Sequence, residues 1–251
     1  MGKVVILGSA HAVPNENQEN THLFVQAGNR NILIDCASNP FQVLPKNGIP
    51  PNCITDIIIT HFHPDHVSGL PLLLMDLWLI GRREPLAIYA NAHAVSRIEA
   101  MMELFDWQKW PNFYPIAFNE IPEKEMHLAI ADSDVEVYTS PVQHLIPTIG
   151  LRIEFFPQYR VMTYSCDTEP CQAVVRLAKD ADVLLHEAAG PLPGHSSAAQ
   201  AAQIAAEACA EKLMYIHYPA GEELETEMIA DGKKFYNAKI ELAKDMQSIT
   251  F

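Results

Sequence analysis

The sequence predicts an α/β fold, because apolar runs of strand length alternate with longer segments of helical composition. The predicted strands lie at 3–8, 22–27, 31–35, 56–60, 86–90, 134–139, 148–155, 160–164, 182–186 and 213–217. The predicted helices lie at 68–81, 92–105, 170–179, 196–210 and 232–244. Two groups of strands, each followed by helices, fit two sheets packed face to face with helices outside.

The individual elements differ in how strongly the residues specify them. Lys3 to Gly8 is a short apolar run typical of a buried first strand. The clearest helix runs from Ser196 to Glu211, because its composition is rich in alanine and Ser196 or Ser197 can cap its first turn. The acidic run Glu222 to Glu227 indicates the solvated start of another helix.

Composition predicts one large domain over residues 1–251, since 49% of the residues are hydrophobic and no Gly/Ser-rich linker divides the chain. The net charge of -14 argues against a long nucleic acid as partner, because such binding normally uses a basic surface to neutralise phosphates. The basic pairs Arg82-Arg83 and Lys233-Lys234 are interpreted as helix-end or solvated charges.

The sequence also predicts a cytoplasmic protein without a membrane span. The first eight residues become polar too soon for a signal peptide. The longest apolar run, Leu70 to Ile80, is interrupted by Pro71 and Asp76 and is too short to cross a bilayer. Five cysteines without regular spacing favour reduced thiols over a disulfide framework.

The most specific motif is His61-Phe62-His63-Pro64-Asp65-His66, which directly follows the apolar run Asp56 to Thr60. Three imidazoles and a carboxylate therefore enter one loop at the end of a predicted strand. These side chains are ligands for a divalent metal such as zinc. The motif predicts a metal site at this loop.

This pattern resembles the metallo-β-lactamase superfamily, whose signature is a strand ending in His-x-His-x-Asp-His. The resemblance implies a four-layer αβ/βα sandwich, the metallo-β-lactamase fold, and two metal sites. It assigns His61 and His63 to the first metal and Asp65 and His66 to the second. It also requires a later His, a bridging Asp and a last His in that order, and His144, Asp167 and His217 meet the requirement. Each of the three follows a short β-prone run.

The second half of the chain resembles the ribonuclease Z-like and phosphodiesterase branch of that superfamily. The resemblance rests on three segments: Pro141 to Gly150, Ala181 to Ala188 and Gly194 to Ala198. In that branch the His of His-Ser-x-Ala faces the scissile phosphate, which makes His195 a candidate catalytic residue. The alternative is a histidine bonded to backbone near a helix start. His186 and Glu187 are interpreted as support for a ligand or for His195, with direct catalysis by Glu187 as the alternative.

Two features separate the chain from a true tRNA 3′-processing endonuclease. Residues 145–166 leave no room for the long basic arm that the tRNA enzymes commonly carry between the corresponding ligands. The segment Pro14 to His22 contains no arginine. We therefore expect a small-molecule or short phosphodiester as substrate, and a long nucleic acid is disfavoured.

The leading hypothesis is a dinuclear metal-dependent phosphodiesterase that acts on small or cyclic nucleotide-like esters through a metal-activated water. Asp65 accepts a proton from that water, and His195 stabilises charge or protonates the leaving oxygen. Zinc is the expected metal, with manganese or iron(II) as alternatives. The alternative functions are an armless tRNA 3′-endonuclease-like enzyme, a hydrolase of another ester (sulfate, lactone or thioester), and a non-hydrolytic metal-binding protein.

Four features have no assigned role in this hypothesis. His11 and His22 either line the cleft or are structural. Cys166, which precedes Asp167, is either a small buried residue or a metal-binding thiolate. The aromatic segment Trp107 to Tyr114 is a substrate lid, a homodimer contact or simple core packing.

Overall fold

The structure, a computed structural model, describes residues 2–251. In chain order its strands are β1 (Lys3–Gly8), β2 (His22–Ala27), β3 (Arg30–Ile34), β4 (Asp56–Ile58), β5 (Leu86–Asn91), β6 (Ile116–Ile121), β7 (His127–Ala131), β8 (Val135–Val142), β9 (Thr148–Phe155), β10 (Arg160–Tyr164), β11 (Val183–Glu187), β12 (Lys212–Ile216), β13 (Lys239–Leu242) and β14 (Ser248–Thr250). Its helices are α1 (Pro40–Lys46), α2 (Pro64–Val67), α3 (Leu70–Leu79), α4 (Ala92–Glu103), α5 (Gln172–Leu177), α6 (Ala198–Glu207) and α7 (Glu222–Gly232).

The strands form two seven-stranded sheets with related topologies. The first has the order β14-β1-β2-β3-β4-β5-β6, and the second has the order β13-β12-β11-β10-β9-β8-β7. In the first sheet β1 to β3 pair antiparallel and β3 to β6 pair parallel. In the second sheet β7 to β10 pair antiparallel and β10 to β13 pair parallel. In each half of the chain the parallel strands therefore lie side by side. Their carboxyl ends, which carry site residues, lie at the same end of the sheet.

Three apolar clusters define the layers. In β1, Val4 and Ile6 point into a cluster formed by both sheets, whereas Val5 and Leu7 point into a cluster with α1, α3 and α4. A third cluster joins the outer face of the second sheet to α5, α6 and α7. Because the central strands are buried on both faces, they are apolar at successive positions. The predicted four-layer αβ/βα sandwich is confirmed.

The sequence located most central strands but missed the sheet edges. Strands β6, β7, β13 and β14 were not predicted, nor were the short helices α1 and α2. The predicted helix at 232–244 is wrong, because α7 ends at Gly232 and residues 239–242 form β13. This edge strand pairs in parallel with β12, and Glu241 on it lies 2.6 Å from Lys212 of that neighbour. Tertiary pairing therefore overrides the local helical composition.

The aromatic segment Trp107 to Tyr114 packs against the outer helix layer of the first sheet. The rings of Trp110 and Trp78 stack at 5.1 Å, and the indole N–H of Trp78 donates to the Pro111 carbonyl. Tyr114 is buried. This packing agrees with the core interpretation, while a lid or homodimer role stays a prediction. Among residues 2–251, none of the helices combines the length and apolar character that crossing a bilayer requires.

Arg82 lies just after the end of α3, as the helix-end interpretation of the Arg82-Arg83 pair expects, but it contradicts the solvated alternative. Its side chain is buried, with only 2% of its surface exposed. The guanidinium donates to the carbonyls of Asn52, Glu84 and Pro85 at 2.8–3.2 Å, and it lies over the Tyr114 ring. Arg82 therefore ties three loops together beneath α3.

We expect Arg82→Ala to lower the free energy of unfolding by about 2–4 kcal/mol, because it leaves buried carbonyls without donors and removes packing. The exposed neighbour gives a matched control, and Arg83→Ala should change that free energy by less than about 0.5 kcal/mol. Urea denaturation followed by circular dichroism measures both. Equal effects of the two substitutions would contradict the buried role of Arg82.

Candidate metal centre

The predicted ligands follow the carboxyl ends of strands in both sheets. His61 follows β4, while His144, Asp167 and His217 follow β8, β10 and β12. The last three strands run in the same direction, because β8 and β10 both pair antiparallel with β9, and β10 to β12 pair parallel. All these side chains therefore emerge along one edge of the sandwich, where α/β folds gather functional groups.

The first group of ligand atoms consists of three imidazole nitrogens. Nδ1 of His63 lies 3.0 Å from Nε2 of His61 and 3.1 Å from Nε2 of His144. Zinc–nitrogen bonds of about 2.0–2.1 Å in tetrahedral geometry place ligand nitrogens roughly 3.3 Å apart. The three imidazoles therefore have the spacing of a metal site, and all three atoms lie within 4.8 Å of one another.

The second group combines two carboxylates and two imidazoles, from Asp65, His66, Asp167 and His217. Asp65 and His66 lie on the four-residue helix α2, which begins at Pro64 directly after His63. Oδ2 of Asp65 lies 3.5 Å from Nε2 of both His66 and His217. This helix turns the chain so that one short motif contributes to both groups.

Asp167 lies between the two groups. Its Oδ2 is 3.9 Å from Nε2 of both His61 and His144, and 3.6 Å from Nε2 of His66. Its Oδ1 is 2.8 Å from Nδ1 of His217. The carboxylate is only 2% exposed. Its position is the one that a bridging ligand would need.

Orphaned polar atoms show that these residues fit metal ions. Nε2 of His66, both ring nitrogens of His217 and Oδ1 of Asp167 are buried and make no aligned hydrogen bond within residues 2–251. Buried polar atoms rarely remain without partners, since the loss of water is costly. Divalent cations placed among the two groups would give partners to Nε2 of His66, Oδ1 of Asp167 and one ring nitrogen of His217.

Asp35 is a functional residue that the sequence analysis missed. It follows β3 in a left-handed conformation (φ 61°) and is fully buried. Nδ1 of His66 donates to its Oδ2 at 2.8 Å, and the backbone N–H and hydroxyl of Thr60 donate to its Oδ1. Asp35 therefore fixes the ring of His66 with Nε2 towards Asp167. The sequence feature that could have identified Asp35 is its position directly after the apolar run Ile32–Ile34.

The other imidazoles are oriented in the same way. Nδ1 of His144 donates to the Gly194 carbonyl at 2.7 Å, which leaves Nε2 free as a ligand. Nδ1 of His61 lies 3.1 Å from the Thr60 hydroxyl and 3.5 Å from Sγ of Cys166. A hydrogen bond at one ring nitrogen selects the tautomer whose other nitrogen binds metal.

His195 reaches the same cleft. One ring nitrogen of His195 lies within 4.8 Å of one ring nitrogen of His144 and one carboxylate oxygen of Asp167. Nδ1 of His195 donates to Oε1 of the buried Glu187 at 3.0 Å, and its side chain is 18% exposed. Glu187 also accepts backbone N–H groups from Thr168 and Ser196. Glu187 thus supports His195 from behind, as expected, while His186 points into the opposite, buried side of β11 with its Nδ1 near its neighbour's carbonyl.

The electrostatics of His61 and Asp167 favour the protonation states that metal binding requires. Burial, together with the charge of His66, lowers the pKa of His61 well below its ordinary value and keeps this imidazole neutral. Burial alone would raise the pKa of Asp167, but His217 and His66 outweigh it and hold this pKa well below its usual range. Neutral imidazole and ionised carboxylate are the metal-binding forms. At His66, burial lowers the pKa, but Asp167 and Asp35 outweigh burial and raise it well above its ordinary value, so this imidazole must release a proton when it binds metal.

The remaining candidates lie beside the two groups. Cys166 contacts the ring of His61 on the side away from His63, and burial raises the pKa of its thiol well above the ordinary value. Sγ of Cys166 also lies at ligand spacing from His61 and His66, so the metal-binding thiolate stays a prediction beside the packing role. His22 is fully buried and its Nδ1 donates to the Asn20 carbonyl. The backbone N–H of His11 donates to the Tyr218 carbonyl, so His11 stands next to His217 at the edge of the site.

Comparison with known proteins agrees with this fold. A ribonuclease Z from Methanothermobacter thermautotrophicus is 24% identical, over 99% of this chain and 96% of that protein. The metallo-β-lactamase fold protein YhfI from Bacillus subtilis superposes with a TM-score of 0.81 at 20% identity, covering 99% and 98% of the two chains. The short form of human tRNase Z gives 0.78 at 23% identity, with the same coverage. A diphosphatase of the PhnP family gives 0.77 at 18% identity, covering 100% and 98%.

The chain is a metal-dependent phosphoester hydrolase of the metallo-β-lactamase superfamily, in its ribonuclease Z-like branch. Within that class it belongs to the Apyc1 family of anti-Pycsar proteins, whose family model matches residues 2–239.

We expect the purified chain to bind about two divalent ions, and Asp167→Ala to remove both because its carboxylate is shared. His61→Ala should empty mainly the first group, and His66→Ala mainly the second. The half-buried His127, outside both groups, provides the control His127→Ala. Metal content after dialysis, measured by mass spectrometry on protein with native circular dichroism, checks this. Loss of a single ion in Asp167→Ala would show that this residue does not bridge.

Proposed function

We propose that this chain hydrolyses small phosphodiesters, including cyclic nucleotide-like esters, at a centre of two divalent ions, most simply zinc. The observation that carries the proposal is the placement of Asp167 between two groups of possible ligands, with the imidazole of His195 held beside them by Glu187. The proposed ligands are His61, His63 and His144 for one ion, and Asp65, His66 and His217 for the other, with Asp167 common to both. One domain spanning residues 1–251 carries the site.

Two ions held by these residues would supply a water nucleophile at neutral pH and would stabilise charge on a phosphoryl oxygen. Asp65 is the more accessible of the two carboxylates, with 15% of its side chain exposed against 2% for Asp167. Its Oδ2 lies between His66 and His217, facing the space in which the nucleophile must stand. Asp65 is therefore the proposed acceptor of the nucleophile's proton.

His195 is the proposed donor to the leaving oxygen. The hydrogen bond from His195 to Glu187 raises the pKa of the imidazole, so that its protonated form persists closer to neutral pH. As the ester P–O bond breaks, a protonated His195 can transfer its proton to the departing oxygen. This contact strengthens as negative charge develops, so it belongs to the transition state more than to the bound substrate.

Two observations favour a small substrate. The residues between His144 and Asp167 are occupied by the tight pair β9 and β10 and form no projecting arm. The net charge of -14 produces a field that opposes approach of a long polyanion, although two divalent cations would offset it locally. A single phosphodiester carries one charge and meets little of this repulsion.

A second candidate is cleavage of RNA, because the similar Methanothermobacter protein is named a ribonuclease Z. The two candidates differ in the size of the substrate and not in the metal chemistry. A structured RNA with a 3′ trailer, tested beside a cyclic nucleotide, separates them. Cleavage of the RNA at a comparable kcat/KM would remove the preference for small esters.

The proposed function is tested by turnover of bis-p-nitrophenyl phosphate, with p-nitrophenyl sulfate and a homoserine lactone as competing substrate classes, in added zinc or manganese. His195→Ala should lower kcat for the phosphodiester by roughly 10²–10⁴ and should leave KM and metal content near wild type. Ser197→Ala, which removes the α6 cap two residues away, is the control for local disruption. Faster turnover of the sulfate or lactone, or full activity of His195→Ala, would refute the proposal.

We expect Glu187→Gln to shift the pH profile in a defined direction. If protonated His195 acts as the acid, kcat falls as pH rises through its pKa. Because Glu187 raises that pKa, removing the negative charge should move this falling limb to lower pH. The pH dependence of kcat, measured at saturating substrate and metal, checks this sign. If the falling limb of the kcat profile does not move, a group other than His195 is titrating.

A further inference from the structure

Gly194, which directly precedes His195, uses both of its backbone polar groups at the site. Its carbonyl accepts from Nδ1 of His144 at 2.7 Å, and its N–H donates to Oε1 of Glu169 at 2.8 Å. The residue has φ +82°, in the left-handed region, and an added Cβ would lie 2.8 Å from Nδ1 of His144. The contact between this peptide and the His144 ring is therefore too close for any side chain.

Glu169 is itself fixed by the segment that carries the ligands. Its backbone N–H donates to the Gln143 carbonyl at 2.7 Å, and its carbonyl accepts from the Thr168 hydroxyl at 2.7 Å. Gln143 and Thr168 are the neighbours of His144 and Asp167 in sequence. The backbone of Glu169 is therefore held by hydrogen bonds, and its carboxylate reaches the Gly194 amide.

The Glu169 side chain has no structural partner other than Gly194. It is exposed, and within residues 2–251 it forms no ion pair with a lysine or arginine. The carboxylate therefore contributes one charge-assisted hydrogen bond to a single amide, of the kind that is shorter and stronger than a neutral one.

We propose that Glu169 is a positioning residue that, through Gly194, sets the His144 ring for metal binding and holds His195 at the substrate. When Gly194 is held by its N–H, its carbonyl points at Nδ1 of His144 and orients Nε2 towards Asp167. The same constraint limits the movement of His195, the next residue. The metal part of this inference depends only on His144 as a ligand, whereas the part concerning His195 rests on the proposed function.

The rest of this loop has independent anchors, so loss of Glu169 should not unfold it. Glu187 accepts from the backbone N–H groups of Ala189 and Ser196, and the N–H of Gly190 donates to the Ser196 carbonyl. Substitution of Glu169 should therefore act on the site and leave global stability almost unchanged.

The test compares Glu169→Ala, Glu169→Gln and the control Glu103→Ala, an exposed glutamate at the end of α4, with the wild-type metal-loaded protein. Zinc retention is measured by competition with a chromogenic chelator, and kcat and KM are measured with bis-p-nitrophenyl phosphate. Glu169→Ala should weaken zinc retention and lower kcat by roughly tenfold each, the range for residues that orient a ligand from outside. KM and the melting temperature should stay near wild type.

Glu169→Gln should recover most of both losses, because its amide oxygen can accept the same N–H, and Glu103→Ala should match wild type. Wild-type zinc retention in Glu169→Ala would overturn the inference, as would a Glu169→Gln variant no better than Glu169→Ala. The proposed function fails separately: if the wild-type protein does not turn over the phosphodiester, the zinc measurement still decides whether Glu169 positions His144.

Discussion

The architecture of the site depends on Asp167, a carboxylate that is almost fully buried among four imidazoles. Its oxygens lie 2.8–3.9 Å from ring nitrogens of His61, His66, His144 and His217. An ionised carboxylate in this environment is costly unless positive charge or metal compensates it. Because the four imidazoles come from both sheets, satisfying this single group requires the two halves of the chain to meet in one arrangement.

The backbone provides that arrangement with hydrogen bonds between the sheets next to the ligands. The N–H of Ile149 donates to the carbonyl of Thr60, and the N–H of His217 donates to the carbonyl of Ser9. Each bond joins a residue of the second half to a loop of the first half, directly beside the site. These main-chain bonds therefore contribute to the relative position of the two ligand groups.

Hydrogen bonds behind three of the imidazoles select which of their ring nitrogens faces the centre. Asp35 fixes His66, the Gly194 carbonyl fixes His144, and Glu187 fixes His195. In each case Nδ1 donates to an oxygen, so that Nε2 is the atom available to metal or substrate. The same type of hydrogen bond thus orients both the proposed ligands and the proposed acid. They differ in whether a metal ion or the substrate faces the free nitrogen.

Local patterns along the chain were sufficient to predict the fold class and to propose the principal ligands. Dense motifs such as His61 to His66 are local, and a run such as Val4 to Leu7 shows by its continuous apolar character that both faces of its strand are buried. Local patterns did not predict Asp35, whose partner His66 is distant in sequence, because a single carboxylate after a strand has no distinctive local pattern. Nor did they separate β13 from a helix, since Lys239–Leu242 becomes a strand only by pairing with β12.

The burial of Arg82 and the pairing of each glutamate with its histidine or loop could not be predicted from local patterns. The guanidinium becomes an interior group because the distant Asn52 carbonyl and the Tyr114 ring join the nearby carbonyls of Glu84 and Pro85 around it. Likewise, the contacts of Glu187 with His195 and of Glu169 with Gly194 depend on loops brought together by sheet packing. Local sequence specifies the chemical groups, and long-range packing specifies their neighbours, because neighbours across a fold leave no pattern in a short stretch of chain.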